Sequence, residues 1–363
     1  MRIGTVKEIK NREARVGLTP AAARELVAEG HDVFVETQAG ALIGYDDDAY
    51  QKGGCTVLDN ADDVFEQASM IIKVKEPQPV EIARLTPKHT LFTYLHLAPD
   101  PEQARGLAES GATCIAYETV LDEHGKLPLL TPMSEVAGRL SVQAGAQYLE
   151  IANGGSGVLL GGVTGVAPAK VLIIGGGVSG LNAAQMAIGL GADVTILDKS
   201  IDRLRELDII LGKSARTLYS TQAVIDELLP ESDLVIGAVL APGAKSPKVV
   251  SSAQVSKMRA GSVMVDIAID QGGCFETSRP TSHDDPIYSV HGVTHYCVTN
   301  MPAAVARTSA HALVNATLPY ALKLASLGVE KALNEDPLLA AGLNVYKGEI
   351  VHPSVQLALG LAA

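Results

Sequence analysis

The chain has 363 residues, of which 47% are apolar and only 19% charged, with a formal net charge of −12. At ~100–200 residues per domain this length holds two or three domains. A charged fraction under the usual ~25% beside an ordinary apolar share excludes a disordered chain and implies surplus buried surface. The acidic balance, without a long basic run, argues against nucleic acid or an anionic membrane as partner.

Charges near Met1 fall where an export signal would need apolar residues, so a cytoplasmic location is expected. Cys55, Cys114, Cys274 and Cys297 are widely spaced without a C-x-x-C pair, which suits free thiols better than disulfides or a zinc knuckle. Along the chain, strand-like runs at 32–36, 70–75, 90–97, 113–117, 170–174, 193–198, 234–238, 262–268 and 296–299 alternate with helical patterns such as 20–29, 101–110, 179–190 and 201–211. The alternation predicts an α/β fold of doubly wound parallel sheets. Two longer helical patterns run from Thr131 to about 152 and from Pro302 to about 327. They suggest a nucleotide domain at 131–302 inserted into a first domain made of 1–130 plus 303–363, with the two helices as hinge and a crevice between the domains.

The window 171–192 carries no charge, and 151–169 before it carries none either. Length alone would read membrane helices there, but glycines interrupt both stretches. A buried strand entering a glycine-rich turn explains the window better. The sequence Lys170-Val-Leu-Ile-Ile-Gly175-Gly176-Gly177-Val178-Ser179-Gly180 is a covered parallel strand running into G-x-G-x-x-G and a helix. Gly175 serves the tight turn, Gly177 a close approach of backbone to a pyrophosphate, and Gly180 the packing of helix on strand. Such a motif is weak alone. Here the next strand ends in Asp198, 18 residues beyond Gly180, where an acceptor for a ribose 2′-hydroxyl belongs. Asp198 would repel a 2′-phosphate, so NAD is expected over NADP, although Lys199, Arg203 and Arg205 lie close by.

Catalytic groups of such a sheet lie at the carboxyl ends of strands. Candidates are Lys73 or Lys75 at the end of one run, with at most one facing the crevice, and His96 at the end of the next. Asp270 lies just beyond a strand that contains Asp266, and Asn300 stands at a helix entry. Each has a bland reading: a core histidine, an acid capping a loop, a helix cap. Arg12 and Arg15 before the Leu-Thr-Pro helix start read alone as surface arginines. His291, His295 and Cys297 have soft-ligand spacing but no fourth ligand nearby, so packing is preferred to a metal. Asp46, Asp47 and Asp48 read as a solvated turn.

These residues together resemble the bacterial L-alanine dehydrogenase family and its superfamily relative, nicotinamide nucleotide transhydrogenase. The resemblance rests on the block from Lys7 to Pro20, on Lys73-Val-Lys75-Glu-Pro77, Thr93-Tyr-Leu-His96-Leu-Ala98 and Pro132-Met-Ser134-Glu-Val-Ala-Gly138. It continues through Gly162 to Lys170, the glycine fingerprint, Asp266-Ile-Ala-Ile-Asp270-Gln-Gly-Gly273 and Thr299-Asn-Met-Pro302. The resemblance implies NAD-dependent interconversion of L-alanine with pyruvate and ammonium, with Arg15 and Lys75 binding substrate and His96 and Asp270 carrying the acid–base work. It also implies NAD contacts from Ser134, Gly175, Gly177, Val178, Ser179, Gly180, Asp198, Arg203, Ser220, Val239, Leu240, Ile267, Asp270, Arg279, Val298, Asn300 and Met301, and a homohexamer. Some relatives' metal would require an acid and a histidine on the last long helix. This chain has Lys323 and Leu327 there, so no metal is expected. Two other readings remain at this stage: a soluble NAD(H)-binding component of a transhydrogenase, and a non-catalytic NAD-binding regulator.

Overall fold

A computed structural model describes residues 1–239 and 246–361. Within them the strands are β1 (Arg2–Thr5), β2 (Asp32–Glu36), β3 (Thr56–Leu58), β4 (Met70–Ile72), β5 (Thr90–Thr93), β6 (Thr113–Ala116), β7 (Lys170–Ile174), β8 (Asp193–Asp198), β9 (Ala215–Tyr219), β10 (Leu234–Gly237), β11 (Val263–Asp266), β12 (Ile287–Val290), β13 (Val293–Tyr296), β14 (Leu343–Tyr346) and β15 (Glu349–Ile350). The chain divides into two compact units, Met1–Met133 with Val305–Ala363, and Ser134–Ala304. The divisions fall within the helix Thr131–Tyr148 and just before the helix Ala306–Leu327.

The first unit's sheet has the order β15-β14-β6-β5-β4-β1-β2-β3 and the second's β12-β13-β11-β10-β7-β8-β9. Pairs among β1–β6 are parallel, as are those among β7–β11 and β13, while β12, β14 and β15 add antiparallel edges. Numbered within each unit, the parallel strands of both sheets follow the order 3-2-1-4-5-6, the doubly wound arrangement. Central strands such as β7 and β10 are buried almost throughout. A strand covered on both faces carries an unbroken apolar run, and the uncharged window at 171–192 resolves into β7, a glycine turn and the helix Val178–Gly189.

Local chemistry sets the helix starts. Thr19 accepts the Ala22 amide before Pro20, Asp100 accepts the Gln103 amide before Pro101, and Ser200 accepts the Arg203 amide. The run at Asp46–Asp48 is not a turn: Asp46 caps the helix Asp47–Lys52, and Asp47 accepts from the Thr37 hydroxyl at 2.6 Å. The first unit's core joins Ile71, Leu91 and Cys114 to Val64, Phe65 and Leu107. The second unit's core joins Leu172, Ile174, Val235 and Met264 to Phe275.

One strand sits earlier than its apolar pattern predicted. The run at 296–298 is buried, but the ladder is Val293–Tyr296, and Val298 makes only an isolated bridge to Thr281. Burial continues past the end of the ladder and extends the apolar run beyond the strand. Among the described residues no single helix is long and apolar enough to cross a membrane; one pair bent by 115°, Met301–Leu327 with Val329–Glu335, passes by length and composition only.

Candidate active site

Ligands of a doubly wound sheet gather outside the carboxyl ends of its strands, where the strand order reverses. In the second unit that point lies between β7 and β10, and residues named from the sequence line this one rim. Gly175 follows β7, Asp198 ends β8, Ser220 follows β9, Val239 lies beyond β10 and Ile267 follows β11. Leu240, also named from the sequence, lies outside the described residues.

The three glycines of the turn differ in what surrounds them. Gly175 has φ +106°, and a Cβ there would stand 2.4 Å from the Ala238 carbonyl oxygen. A Cβ on Gly180 would stand 1.8 Å from the Gly175 carbonyl oxygen, so only glycine lets this helix meet the turn. At Gly177, the residue capping the helix Val178–Gly189, a Cβ would meet nothing within 4 Å. Open space beside an exposed helix N-terminus fits a pyrophosphate held by the amides that follow. Asp198 Oδ2 accepts the Gly176 amide at 2.7 Å and Oδ1 the Ser200 amide at 2.8 Å. The carboxylate thus holds the loop, and its remaining lone pairs suit ribose hydroxyls. Arg203 donates from Nε to the Gly176 carbonyl at 2.6 Å and pairs with Glu206 through Nη1, which ties it to the loop instead of leaving it as a solvated helix arginine. Ser179 lies half-buried in the first turn of that helix, and Ser134 half-buried in the helix Thr131–Tyr148.

Asp266 and Asp270 separate into a structural acid and an exposed one. The fully buried Asp266 accepts from the amides of Ala268, Cys274 and Phe275 and from the Ser278 hydroxyl at 2.5 Å. It fixes the loop on which Asp270 is exposed, in the turn Ile267–Gln271. Asp270 Oδ1 accepts the Asn300 amide at 3.2 Å, and Asn300 has φ +54°. The Arg279 guanidinium stands 4.0 Å over the Tyr288 ring. Val298 and Met301 are buried. His295 spends Nε2 on the Thr277 hydroxyl at 2.7 Å and Nδ1 on the Val293 carbonyl, while His291 Nε2 contacts Ser252 and the Cys297 sulfur lies 3.4 Å from the Tyr288 hydroxyl. Among the described residues no cluster of three His, Cys, Asp or Glu could hold a metal ion.

In the first unit the order reverses between β1 and β4. The loop after β1 carries Arg15, the end of β4 leads to Lys75, and the end of neighbouring β5 leads to His96. Arg15 is not a surface residue; it is 2% exposed, with Nε and Nη2 forked onto Glu13 at 2.7 and 2.6 Å and Nη1 2.9 Å from Met133 Sδ. Burial opposes its charge, but Glu13 outweighs burial and raises its pKa. Lys75 is half-buried with Nζ 3.6 Å from Glu76. Burial alone would raise the Glu76 pKa, yet Lys75 and Lys10 hold it below the usual value. Lys73, the other candidate, is fully buried in ion pairs and faces no solvent.

His96 is held in an uncommon conformation. Its φ is +51°, its ring stacks on Tyr94 with 4° between planes and centroids 5.7 Å apart, and its side chain is 42% exposed. Backbone in the left-handed region at a non-glycine residue persists where surroundings enforce it. Glu118, just after β6, accepts the amides of His96 at 2.6 Å and Leu95 at 3.1 Å and lies 3.7 Å from His96 Nδ1. Sequence reasoning passed over Glu118 and Glu13. The same rule that found His96, a polar residue at the end of a parallel strand, points to Glu118, and the i, i+2 spacing of Glu13 and Arg15 puts them on one side of an extended segment.

An α/β chain with a dinucleotide loop on one doubly wound sheet, and an arginine, a lysine and a histidine on the rim of another, has the parts of a nicotinamide-dependent oxidoreductase. The alanine dehydrogenase/PNT family profiles match residues 4–137 as the N-terminal domain and 141–353 as the C-terminal domain. The chain belongs to this family. It is 56% identical to an alanine dehydrogenase of Halomonas elongata over 99% of this chain and 97% of that one. A solved L-alanine dehydrogenase superposes with a TM-score of 0.97 at 53% identity over the full length of both chains. A transhydrogenase of Sinorhizobium meliloti is more distant, with a TM-score of 0.83 and 25% identity over 98% of this chain and 100% of that one.

Proposed function

We infer that the chain catalyses the NAD-dependent oxidative deamination of L-alanine to pyruvate and ammonium, and the reverse reductive amination. The observation that carries this is its full-length identity of 56% to an alanine dehydrogenase, more than twice its 25% identity to the transhydrogenase. The half-open turn at Gly177 and the carboxylate of Asp198 fit NAD, which when bound supplies the nicotinamide carbon that takes the hydride from the substrate α-carbon.

The roles of individual residues follow from their chemistry. The Arg15 guanidinium, already oriented by Glu13, binds the substrate carboxylate through charge-assisted hydrogen bonds. The Lys75 ammonium polarises the pyruvate carbonyl and stabilises negative charge on its oxygen as ammonia adds. The His96 imidazole moves protons to and from that oxygen and nitrogen, and Asp270 is the second residue assigned to acid–base work. Glu118 aims His96, and Asp266 fixes the loop that carries Asp270.

Purified chain given NADH, pyruvate and ammonium should oxidise NADH, and should stop when either other substrate is left out. Turnover only with a second nucleotide would favour a transhydrogenase component, and NADH binding without turnover a regulator. A homohexamer is the proposed assembly. Ile151, Leu159, Val163 and Val166 are each at least 60% exposed in one short segment, and a patch of this kind suits a subunit contact. Four buried thiols, none in a disulfide, suit a cytoplasmic location.

A further inference from the structure

A fully buried lysine of the first unit lies at the end of β4. Lys73 is fully buried, with Nζ 3.1 Å from Glu8 Oε2 and 2.6 Å from Glu81 Oε1, and both carboxylates are buried too. Burial raises the Glu8 pKa while Lys73 opposes the shift. The other oxygens of both acids are committed to backbone. Glu8 Oε1 accepts the Val74 amide at 2.7 Å, and Glu81 Oε2 accepts the Gln78 amide at 2.8 Å.

These bonds join two segments that carry the proposed substrate residues. Glu8 belongs to the loop after β1, which leads to Arg15, whereas Lys73 and Val74 immediately precede Lys75. The loop is laid on the strand end at several further points. The Thr5 hydroxyl donates to the Ile72 carbonyl at 2.9 Å, and Lys10 pairs with Glu76. At Gly17 a Cβ would stand 2.4 Å from the Ile72 oxygen and 3.0 Å from Lys73 Cα. Hydrogen bonds and close backbone contact hold the two segments together, and Lys73 bridges the buried side chains of Glu8 and Glu81.

We propose that Lys73 is a positioning residue: its buried pairing with Glu8 and Glu81 sets the separation of Arg15 from Lys75 and so the fit of the substrate's carboxylate and carbonyl. This rests on the assignment of Arg15 and Lys75 as substrate-binding residues. Misplacement of binding groups by about 1 Å can cost ~100-fold. Lys73→Met, of similar volume, should raise the KM for pyruvate at least ~10-fold in the folded enzyme while the NADH dissociation constant, read by fluorescence titration, stays within ~2-fold.

Glu8→Gln keeps an acceptor for the Val74 amide and replaces the carboxylate oxygen on Lys73 with an amide nitrogen, so it breaks this ion pair and covers the case in which Lys73→Met does not fold. It should raise the KM in the same direction by a smaller factor. Lys73→Arg, which keeps the charge, should recover part of the loss. Arg15→Lys and Lys75→Ala are measured beside them. If those two raise the pyruvate KM while Lys73→Met and Glu8→Gln lower only the melting temperature or the active fraction, the proposal is overturned. If Arg15→Lys and Lys75→Ala leave the KM unchanged, the underlying assignment fails, and the proposal with it.

Discussion

Gly177 and Gly180 stand three residues apart in one turn, and the structure predicts opposite failures when each becomes alanine. At Gly180 the added methyl would stand 1.8 Å from the Gly175 carbonyl oxygen, far inside contact distance, and the obstacle is backbone that cannot rotate away. Alanine in a helix would otherwise gain ~1 kcal/mol over glycine. Over-packing of this kind costs about 3 kcal/mol at the upper end of its usual range. The net loss of about 2 kcal/mol should lower the melting temperature by roughly 4–8 °C at ~2–4 °C per kcal/mol. At Gly177 φ is −64° and ψ −160°, backbone that alanine adopts, and the methyl meets no atom within 4 Å. Stability should therefore change by under about 1 kcal/mol. The methyl would instead occupy the approach to the helix amides, and losing one charge-assisted hydrogen bond of ~1.5–3 kcal/mol weakens NADH binding about 10- to 100-fold. Thermal unfolding and NADH fluorescence titration of both variants make the comparison. A Gly177→Ala protein that binds NADH as the parent does would refute the assignment of this turn to the cofactor.

His96→Ala and Asp270→Asn should each abolish turnover while NADH affinity is retained, and normal turnover in either variant removes that residue from the acid–base set. Arg15→Ala should chiefly raise the KM for pyruvate, but it also strands the buried Glu13 carboxylate, a loss of ~3–5 kcal/mol; the double variant Glu13→Gln with Arg15→Met separates fold from binding, and an unraised KM there would sink the clamp. His89 is buried, donating from Nε2 to the Phe65 carbonyl and accepting the Thr86 amide at Nδ1, 2.9 Å away, so it folds as the neutral imidazole. Burial lowers its pKa from the usual 6.5, so the unfolded chain takes up the proton first, and the melting temperature should fall as pH drops below 6.5. His89→Gln should flatten that slope, and an unchanged slope would clear His89 of it.

Most of the second unit was legible because a parallel strand buried on both faces and a glycine turn each leave a local pattern. Lys170–Ile174 and Asp193–Asp198 are strands with the bounds that pattern predicts. Short or half-exposed strands left less. Arg2–Thr5 is a central strand of only four residues that contains a charge and a glycine, and Ala215–Tyr219 lies at a sheet edge with much of its length exposed. The place of a candidate residue was legible where its position along one strand decides it, as for His96 and Asp198. It was illegible where a partner arrives from another element. Nothing local to Arg15 announces its burial against Met133, and nothing local to Lys73 announces Glu8, 65 residues away.

Hydride transfer to the α-carbon of an amino acid is the central claim, and an isotope label follows it directly. With NADH deuterated at nicotinamide C4 on the transferred face, pyruvate and ammonium, the purified chain should yield L-alanine carrying deuterium at the α-carbon. Deuterated lactate, or unlabelled products with NADH consumed, would contradict the account.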